Sequence, residues 1–595
     1  MKKLEKYLPF IIGLTAFFLL CCQLYASLRY SFYYREQQQL LVYSLTFFQE
    51  RFLVFGGLSL LVSQFLIQFF TTPQVGVITT AMIDIATAGL LWLSFKKISD
   101  AAWLFPICMI PVLLQTDALA DCYYDYQGLV AFFLMAGCLY LYTIFADKTE
   151  WKARIAVSTI MGLIVYFILG AIGVLFSFVV LMYDVCAKRK KAGLQLISIA
   201  VILITGLYLI YGGHIQSWRF TFLNDAYYEP VLAPPAYFMA SWIAMIILPA
   251  IFYIVGFIKK TTPLVSMLLA LTLSVMIGWN FSSSTIRKDK QSFLDMVELL
   301  YDVGTERWDE LLQSEINVNH NFIFQNLFNL ALSHKGALVT NLFDITQYSP
   351  ASLIIQDERG EKVPYMTNIL SHIYYQMGNI AAAQDMAFDS YVGCRYGCPN
   401  MLKMLVKTNL IYGSYHVAEK YIALLEKTWA YREWAKEQRR FLNNDPAIEA
   451  DAELGMKRKD LTGNDRFAFI DGPLPDLLHI LETGTTDIAA RDYAIAYVLL
   501  ARDNENINRI ANDYYGTEVM KEMPVLLQQA LIAVNEDNLD YCKAHGVTEQ
   551  TIAYYETFKK AFIEARNTGR NPAEVLNSQF GSSYWYYYLF VGIQG

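Results

Sequence analysis

Three aspartates recur at every fourth position, Asp117, Asp121 and Asp125, in Gln-Thr-Asp-Ala-Leu-Ala-Asp-Cys-Tyr-Tyr-Asp-Tyr-Gln. On a helix this spacing places all three carboxylates on one face, where like charges repel unless a cation, hydroxyls or arginines meet them. No histidine accompanies them, so the set is too unspecific to assign a divalent metal, and no cofactor is implied. A fourth carboxylate, Glu36, follows the first apolar run in Tyr-Tyr-Arg-Glu-Gln-Gln-Gln-Leu. Such a group acts as a general base toward a hydroxyl when its pKa is raised; the alternative is a surface glutamate paired with Arg35 or Arg51. The segment 212–235 carries His214, Arg219, Asp225 and Glu229; together with Arg29, Arg35 and Arg51, an arginine there can hold a lipid-linked phosphate, or can equally line a lipid headgroup region. Asp84 lies inside an apolar run, a position that is functional by default unless it is held by Thr79 or Thr87. There is no P-loop, no dinucleotide glycine pattern and no Gly-x-Ser-x-Gly. The histidines at 320, 334, 372, 416, 479 and 545 are scattered and read as structural or exposed.

The elements that must position these groups change character near residue 285. Over 595 residues the chain is 55% hydrophobic and 17% charged, an average of two populations. The first half carries apolar runs long enough to cross a hydrocarbon core of ~30 Å. They lie at 8–28, 76–95, 101–116, 128–146, 154–169, 171–184, 194–211, 236–258 and 262–281. The run at 8–28 is longer than a signal-peptide core and reads as an uncleaved first span. With nine spans, the basic clusters Lys2-Lys3-Lys6, Lys96-Lys97, Lys148-Lys152-Arg154, Lys188-Arg189-Lys190-Lys191 and Lys259-Lys260 fall on one side, the cytoplasmic one. The stretch 52–70 is read as an interfacial helix within a long outer loop, 29–75, because spanning there would put the first cluster opposite the rest. The turn Leu169-Gly170-Ala171-Ile172-Gly173 joins two spans and predicts irregular backbone covered by protein or by an enclosed site near the outer leaflet. The net charge of −7 excludes a nucleic-acid binder.

The second half reads as helix, turn, helix. Gly304, Gly336, Gly378 and Gly413 close similar segments 32, 42 and 35 residues apart. That is close to the ~34-residue period of tetratricopeptide repeats. The fold class is therefore all-α: a polytopic membrane bundle over 1–285, then a soluble tetratricopeptide-like solenoid over 286–595. Cys394 and Cys398 form either a local disulfide, if the compartment oxidises them, or two free thiols. The terminal Tyr584-Trp585-Tyr586-Tyr587-Tyr588 reads as a docking segment, onto the solenoid or the lipid interface.

The order of parts in 8–285 resembles the GT-C superfamily of membrane glycosyltransferases. The resemblance rests on Glu36, on Gln-Phe-Leu-Ile-Gln-Phe-Phe-Thr-Thr-Pro73, on Thr116-Asp117-Ala118-Leu119, and on the turn Gly170–Gly173. It implies a polyprenyl-phosphate-linked sugar donor, a catalytic carboxylate at Glu36 with Asp117 or Asp121 as the second acid, and a hydroxyl acceptor. Arg29, Arg35, Arg51, Asp125, His214 and Arg219 would bind substrate. The family has Asp or Asp-Glu in the first loop, where this chain has Glu followed by three glutamines. The whole chain, through Arg307-Trp308-Asp309-Glu310-Leu, Asn329-Leu330-Ala331-Leu332 and Ala418-Glu419-Lys420-Tyr421, also resembles an uncharacterised Bacteroidota membrane family that fuses such a region to tetratricopeptide-like repeats. The side taken by the basic clusters then puts the C-terminal half outside, and with the resemblances this implies a multi-pass protein of the bacterial inner membrane with a periplasmic C-terminal half. The repeats would then present a glycan or an envelope-protein acceptor, or would serve as a non-enzymatic assembly scaffold. A transporter is disfavoured because its spans show no internal symmetry.

Overall fold

The computed structural model describes residues 2–257, 262–319, 321–355, 363–394, 397–461 and 473–591. Lys259-Lys260 and His320 lie outside them. The chain is all-helical, and pairing between extended segments is confined among the described residues to two isolated bridges, Tyr124 with Tyr228 and Tyr515 with Met520. It divides into two units: Met1–Glu36 with Leu40–Val297, and Gln37–Gln39 with Glu298–Gly595.

In the first unit the helices are α1 (Lys2–Gln37), α2 (Leu45–Phe52), α3 (Gly57–Ile67), α4 (Pro73–Phe95), α5 (Phe105–Asp117), α6 (Tyr126–Ala146), α7 (Trp151–Leu169), α8 (Ile172–Cys186), α9 (Leu196–Tyr211), α10 (Trp218–Phe222), α11 (Ala240–Val255), α12 (Pro263–Ser282) and α13 (Thr285–Asp289). Among the described residues, eight helical stretches are long and apolar enough to cross a membrane. The expectation of about nine spans included 171–184, which is the shorter, 15-residue α8. It still returns to the start of α7, because Arg154 near the start of α7 donates to Asp184 near the end of α8 at 2.9 Å.

Two features of this unit bear on the site, and the first departs from the sequence reading. First, α1 does not stop near residue 28; it runs on to Gln37, with no proline or glycine between 10 and 37 except Gly13 to interrupt it. Arg29, Arg35 and Glu36 therefore sit on the last turns of a helix and not in an outer loop. Second, the stretch 52–70 contains the 11-residue α3, too short to span. It is stitched to the turn between α7 and α8. The Gly56 amide donates to the Phe167 carbonyl at 3.0 Å, Ser59 donates to the Leu169 carbonyl at 3.1 Å, and Gln127 donates to the Gly56 carbonyl at 3.1 Å. Gly170 holds that turn at φ +98°, a conformation that only glycine adopts readily. The irregular backbone is thus covered by packed protein, as hydrocarbon surroundings demand.

The basic segments at 96–97, 148–154 and 188–191 gather at one end of this unit. Lys97 and Arg189 both pair with Asp147. Lys191 lies over the Trp151 ring at 4.0 Å, and Lys188 is 5.4 Å from the ring centroids of both Tyr253 and Phe257. Partial burial opposes ionisation of Asp147, but the hydrogen bonds from Lys97 and Arg189 prevail and hold its carboxyl below the usual range. Just inside this end, Asp184 accepts from Tyr142, Arg154 and Gln195 at 3.0, 2.9 and 2.8 Å.

The second unit is built of paired helices, among them Pro364–Gln376 with Ile380–Gly393, and Pro399–Ile411 with Tyr415–Leu425. Apolar side chains such as Leu405, Ile422, Ala494 and Leu527 fill the space between layers. Gly336, Gly378 and Gly413 take positive φ at the expected turns. Gly304 does not: it is still helical, and Glu306 adopts the left-handed conformation two residues on. The aromatic C-terminal helix Tyr584–Phe590 packs within this unit, with Trp585 donating to the Gln529 carbonyl at 2.8 Å and Tyr587 to the Leu500 carbonyl at 2.7 Å. Gln37 groups with this unit, donating to Tyr431 at 3.0 Å.

Candidate functional site

At the end of the first unit opposite the basic segments, α5 finishes at Asp117 and the chain turns through a short 3-10 segment, Ala118–Ala120. Asp121 is extended, at φ −87° and ψ 123°, and Asp125 is the N-cap of α6, accepting from the Gln127 amide at 3.0 Å. The three aspartates therefore do not share one helical face as their spacing suggested. Ala-Leu-Ala tightens into the 3-10 turn, and the capping preference of Asp125 starts a new helix.

Each of the first two carboxylates meets a cation from the segment that follows the last span. Arg287 approaches Asp117 with Nε 3.1 Å from Oδ1, both residues being buried, and Ser284 donates to the other oxygen. Arg287 also donates to Ser27 at 3.1 Å and lies over the Phe281 ring at 4.4 Å. Lys290 pairs with Asp121 at 3.0 Å; Asp121 is fully buried, whereas the lysine is about one-third exposed (34%). Tyr228 donates to Asp121 at 3.4 Å. Burial and the Asp121 carboxylate push the Tyr228 phenol up, so it remains a donor at neutral pH. Burial, with Asp121, likewise pushes the Cys122 thiol up to about 12 and keeps it protonated.

Arg35 organises the turn itself. The residue is 6% exposed, and its guanidinium donates to the carbonyls of Leu119 at 2.8 Å, Asp121 at 3.0 Å and Tyr124. An arginine whose donors are used on backbone carbonyls positions the loop and leaves little for a phosphate. Glu36, the next residue, is 3% exposed, so it is a buried carboxylate at the end of α1 and not a surface one. The segment 223–229 closes over the same turn, with the Asp125 amide donating to the Tyr227 carbonyl at 2.8 Å and the Glu229 amide to the Tyr123 carbonyl at 3.0 Å.

The remaining sequence candidates are dispersed. Arg29 lies over the Tyr25 and Tyr30 rings at 4.9 and 4.4 Å, and Arg51 is 5.2 Å from the Phe47 ring. Arg219 pairs with Asp225 at 2.5 Å, and His214 is exposed on the loop after α9. Asp84 is fully buried, and its partner is Thr116 of α5 at 2.8 Å, whereas Thr87 donates to its own helix at the Ile83 carbonyl. Among the described residues no three His, Cys, Asp or Glu side chains come together as a metal site.

A family model matches residues 5–591. The chain belongs to DUF6057, a family of unknown function. No curated protein and no solved structure matches it. Membership extends over both units, so the family is defined by the membrane bundle and the helical region together.

The residues that sequence reasoning missed are Ser284, Arg287 and Lys290. Their signal was present: Ser-Thr-Ile-Arg-Lys-Asp-Lys290 is a charged run directly after the last apolar stretch. It read as a boundary because nothing in the local sequence ties it to residues near 117.

Proposed function

We propose that this protein is a membrane glycosyltransferase of the GT-C kind. It moves a sugar or glycan from a polyprenyl-phosphate-type donor to a hydroxyl acceptor at the outer face of the bacterial inner membrane. The observation that carries the reading is the pair of counter-charged carboxylates, Asp117 with Arg287 and Asp121 with Lys290; Glu36 is a further buried carboxylate, at the end of α1. A donor phosphate that takes up Arg287 and Lys290 leaves Asp117 and Asp121 without their cations. A freed, buried carboxylate is a stronger base than a paired one. Glu36 or one of these aspartates then accepts the acceptor's hydroxyl proton while the new bond forms to the anomeric carbon. The bond from that carbon to the phosphate oxygen breaks with inversion, and the polyprenyl phosphate leaves with the electron pair, stabilised by the two cations. Excess Lys/Arg marks cytoplasmic loops, which puts this end, and the second unit, in the periplasm.

The test replaces Glu36→Gln, Asp117→Asn and Arg287→Gln separately and measures glycan transfer in membranes against a strain lacking the gene. Loss of transfer in at least one acid variant is expected. Identical glycosylation in wild type, all variants and the deletion strain would overturn the reading. Reporter fusions after Lys260 and Ser282 test the orientation, and a cytoplasmic signal at Ser282 would reverse it.

A second reading, a membrane-anchored tetratricopeptide-like scaffold for envelope proteins, is favoured by one feature of the second unit. Its paired helices are joined through positive-φ Gly378 and Gly413. A scaffold retains its phenotype when Glu36 and Asp117 are made amides, and an enzyme does not.

A further inference from the structure

A groove of about 470 Å³ opens between α1 and α4, with Phe105 of α5 as its floor. Its walls include Gly13, Leu14, Phe17, Gly89 and Trp92. The volume is within the ~300–1,000 Å³ range of small-ligand sites. Yet the lining is almost wholly apolar, and it lies within two helices that are long and apolar enough to span a membrane. It occupies the half of those helices nearer the basic segments: Pro9 to Phe17 begin α1, and Met82 to Leu93 run toward the end of α4. The site around Asp117 is at the other end, with Ser27 ten residues further along α1 than Phe17. At ~1.5 Å per residue that is a separation of roughly 15 Å.

Two glycines shape the groove. A Cβ on Gly89 would meet nothing within 4 Å, and one on Gly13 would rest 3.4 Å from the Phe105 ring. Its rim is exposed and apolar, with Phe10 at 71%, Leu14 at 50% and Met82 at 52%. In a bilayer this rim faces hydrocarbon, so the occupant enters from the lipid and not from water. A polar element stands at the end toward the basic segments. Lys96 holds its ammonium 5.2 Å from the centroid of the Trp92 ring, and the indole N–H of Trp92 is shielded without an acceptor among the described residues. Cationic and Trp side chains at this depth meet lipid headgroups and ester carbonyls.

We propose that this groove binds one chain of an anionic phospholipid from the leaflet on the side of the basic segments, with the phosphate at Lys96. The site is separate from the one around Asp117. The full-length protein is reconstituted in nanodiscs of phosphatidylglycerol or phosphatidylcholine that carry a diazirine near the end of one acyl chain, and the labelled peptides are mapped. Labelling is expected at Leu14–Phe17 and Met82–Gly89, at higher yield in phosphatidylglycerol. Gly89→Leu and Ala86→Leu fill the groove and lower that yield by roughly fourfold for each methylene excluded. Gly137→Leu on α6, where an added Cβ also meets nothing within 4 Å, leaves it unchanged. Lys96→Gln removes the preference for phosphatidylglycerol and keeps the chain labelling. The proposal is overturned by labelling no higher than on the Gly137 face, by labelling insensitive to both Gly89→Leu and Ala86→Leu, or by groove labelling that is lost in nanodiscs holding two copies of the chain, which would make its occupant a second copy.

Discussion

Removing Arg287 provides the sharpest test of the site. Arg287 is 5% exposed and Asp117 is 7% exposed, with 3.1 Å between Nε and Oδ1. Replacing Arg287 with Met keeps most of the side-chain volume and leaves the Asp117 carboxylate buried with Ser284 as its remaining donor. Breaking one side of a buried ion pair is destabilising by ~3–5 kcal/mol. The donation to Ser27 is lost too, and hydrogen bonds of charged groups contribute ~1.5–3 kcal/mol, so the total loss should lie toward the upper end of the range for the broken ion pair. Asp117→Asn keeps an acceptor for Ser284 and is expected to destabilise less, by ~1–3 kcal/mol. The double variant Arg287→Met, Asp117→Leu removes both charges and should return to within ~1 kcal/mol of wild type. Reversible unfolding of the reconstituted full chain, followed by steric trapping across α5 and α12, supplies the free energies. Because the pair is buried, the single-variant loss should persist at high salt, where exposed pairs fade. The reasoning is refuted if Arg287→Met stays within ~1 kcal/mol of wild type, or if the double variant is no more stable than the weaker single. The stable double variant also separates structure from chemistry, since the proposed transfer uses Arg287 to hold the donor phosphate and should fall even though the bundle holds.

Other perturbations have equally definite outcomes. Gly170→Ala places a Cβ 3.0 Å from the Tyr227 hydroxyl at φ +98° and should destabilise the first unit by ~1–3 kcal/mol, read in the same unfolding assay. In the second unit, Lys457 and Asp487 are 3% and 5% exposed and 2.6 Å apart, so Lys457→Met should loosen the helices Pro364–Gln376 and Ile488–Ala501 by ~3–5 kcal/mol, seen as lost amide-exchange protection. Burial, with the ammonium groups of Lys407 and Lys403, pushes His372 down to about 4. The unfolded chain, with a histidine pKa of ~6.5, then binds more protons than the folded one, so stability is full above that value and falls as pH drops from ~6.5 toward 4. A loss on the order of 2 kcal/mol at pH 4, allowing for partial exposure of the ring, is expected in exchange protection around 364–376, and His372→Gln should flatten this contribution.

What was legible in the sequence follows from the range of the forces involved. An apolar run of some 20 residues declares a span by itself, because partition into hydrocarbon is summed locally. The seven spans at 76–95, 101–116, 128–146, 154–169, 194–211, 236–258 and 262–281 each overlap a helix of the structure for this reason. So does the reading of 52–70 as non-spanning, whose 11-residue helix is set apart by Gly56-Gly57 and Pro73. The tight turn at Gly170 was visible as well, since few other residues can reverse the chain between two apolar helices. The extension of α1 past Leu28 was not: its polar last turns look like a loop when neighbouring helices are unknown.

The composition and spacing of this chain determined an all-helical protein and the places of its membrane-spanning segments, and singled out the three aspartates at 117–125 without the turn that carries them. Tertiary structure alone decided which groups meet there. Ser284 and Asp117 are 167 residues apart in sequence, and Arg287 and Lys290 are brought to two carboxylates only when α12 packs beside α5. The same packing turned Arg35, a phosphate ligand by its residue type, toward three carbonyls, and gave Asp84 a partner on another helix in Thr116. A buried charge takes whichever partner the fold delivers, because leaving it unpaired is so unfavourable. That delivery depends on how whole helices pack, which no local pattern of residues records.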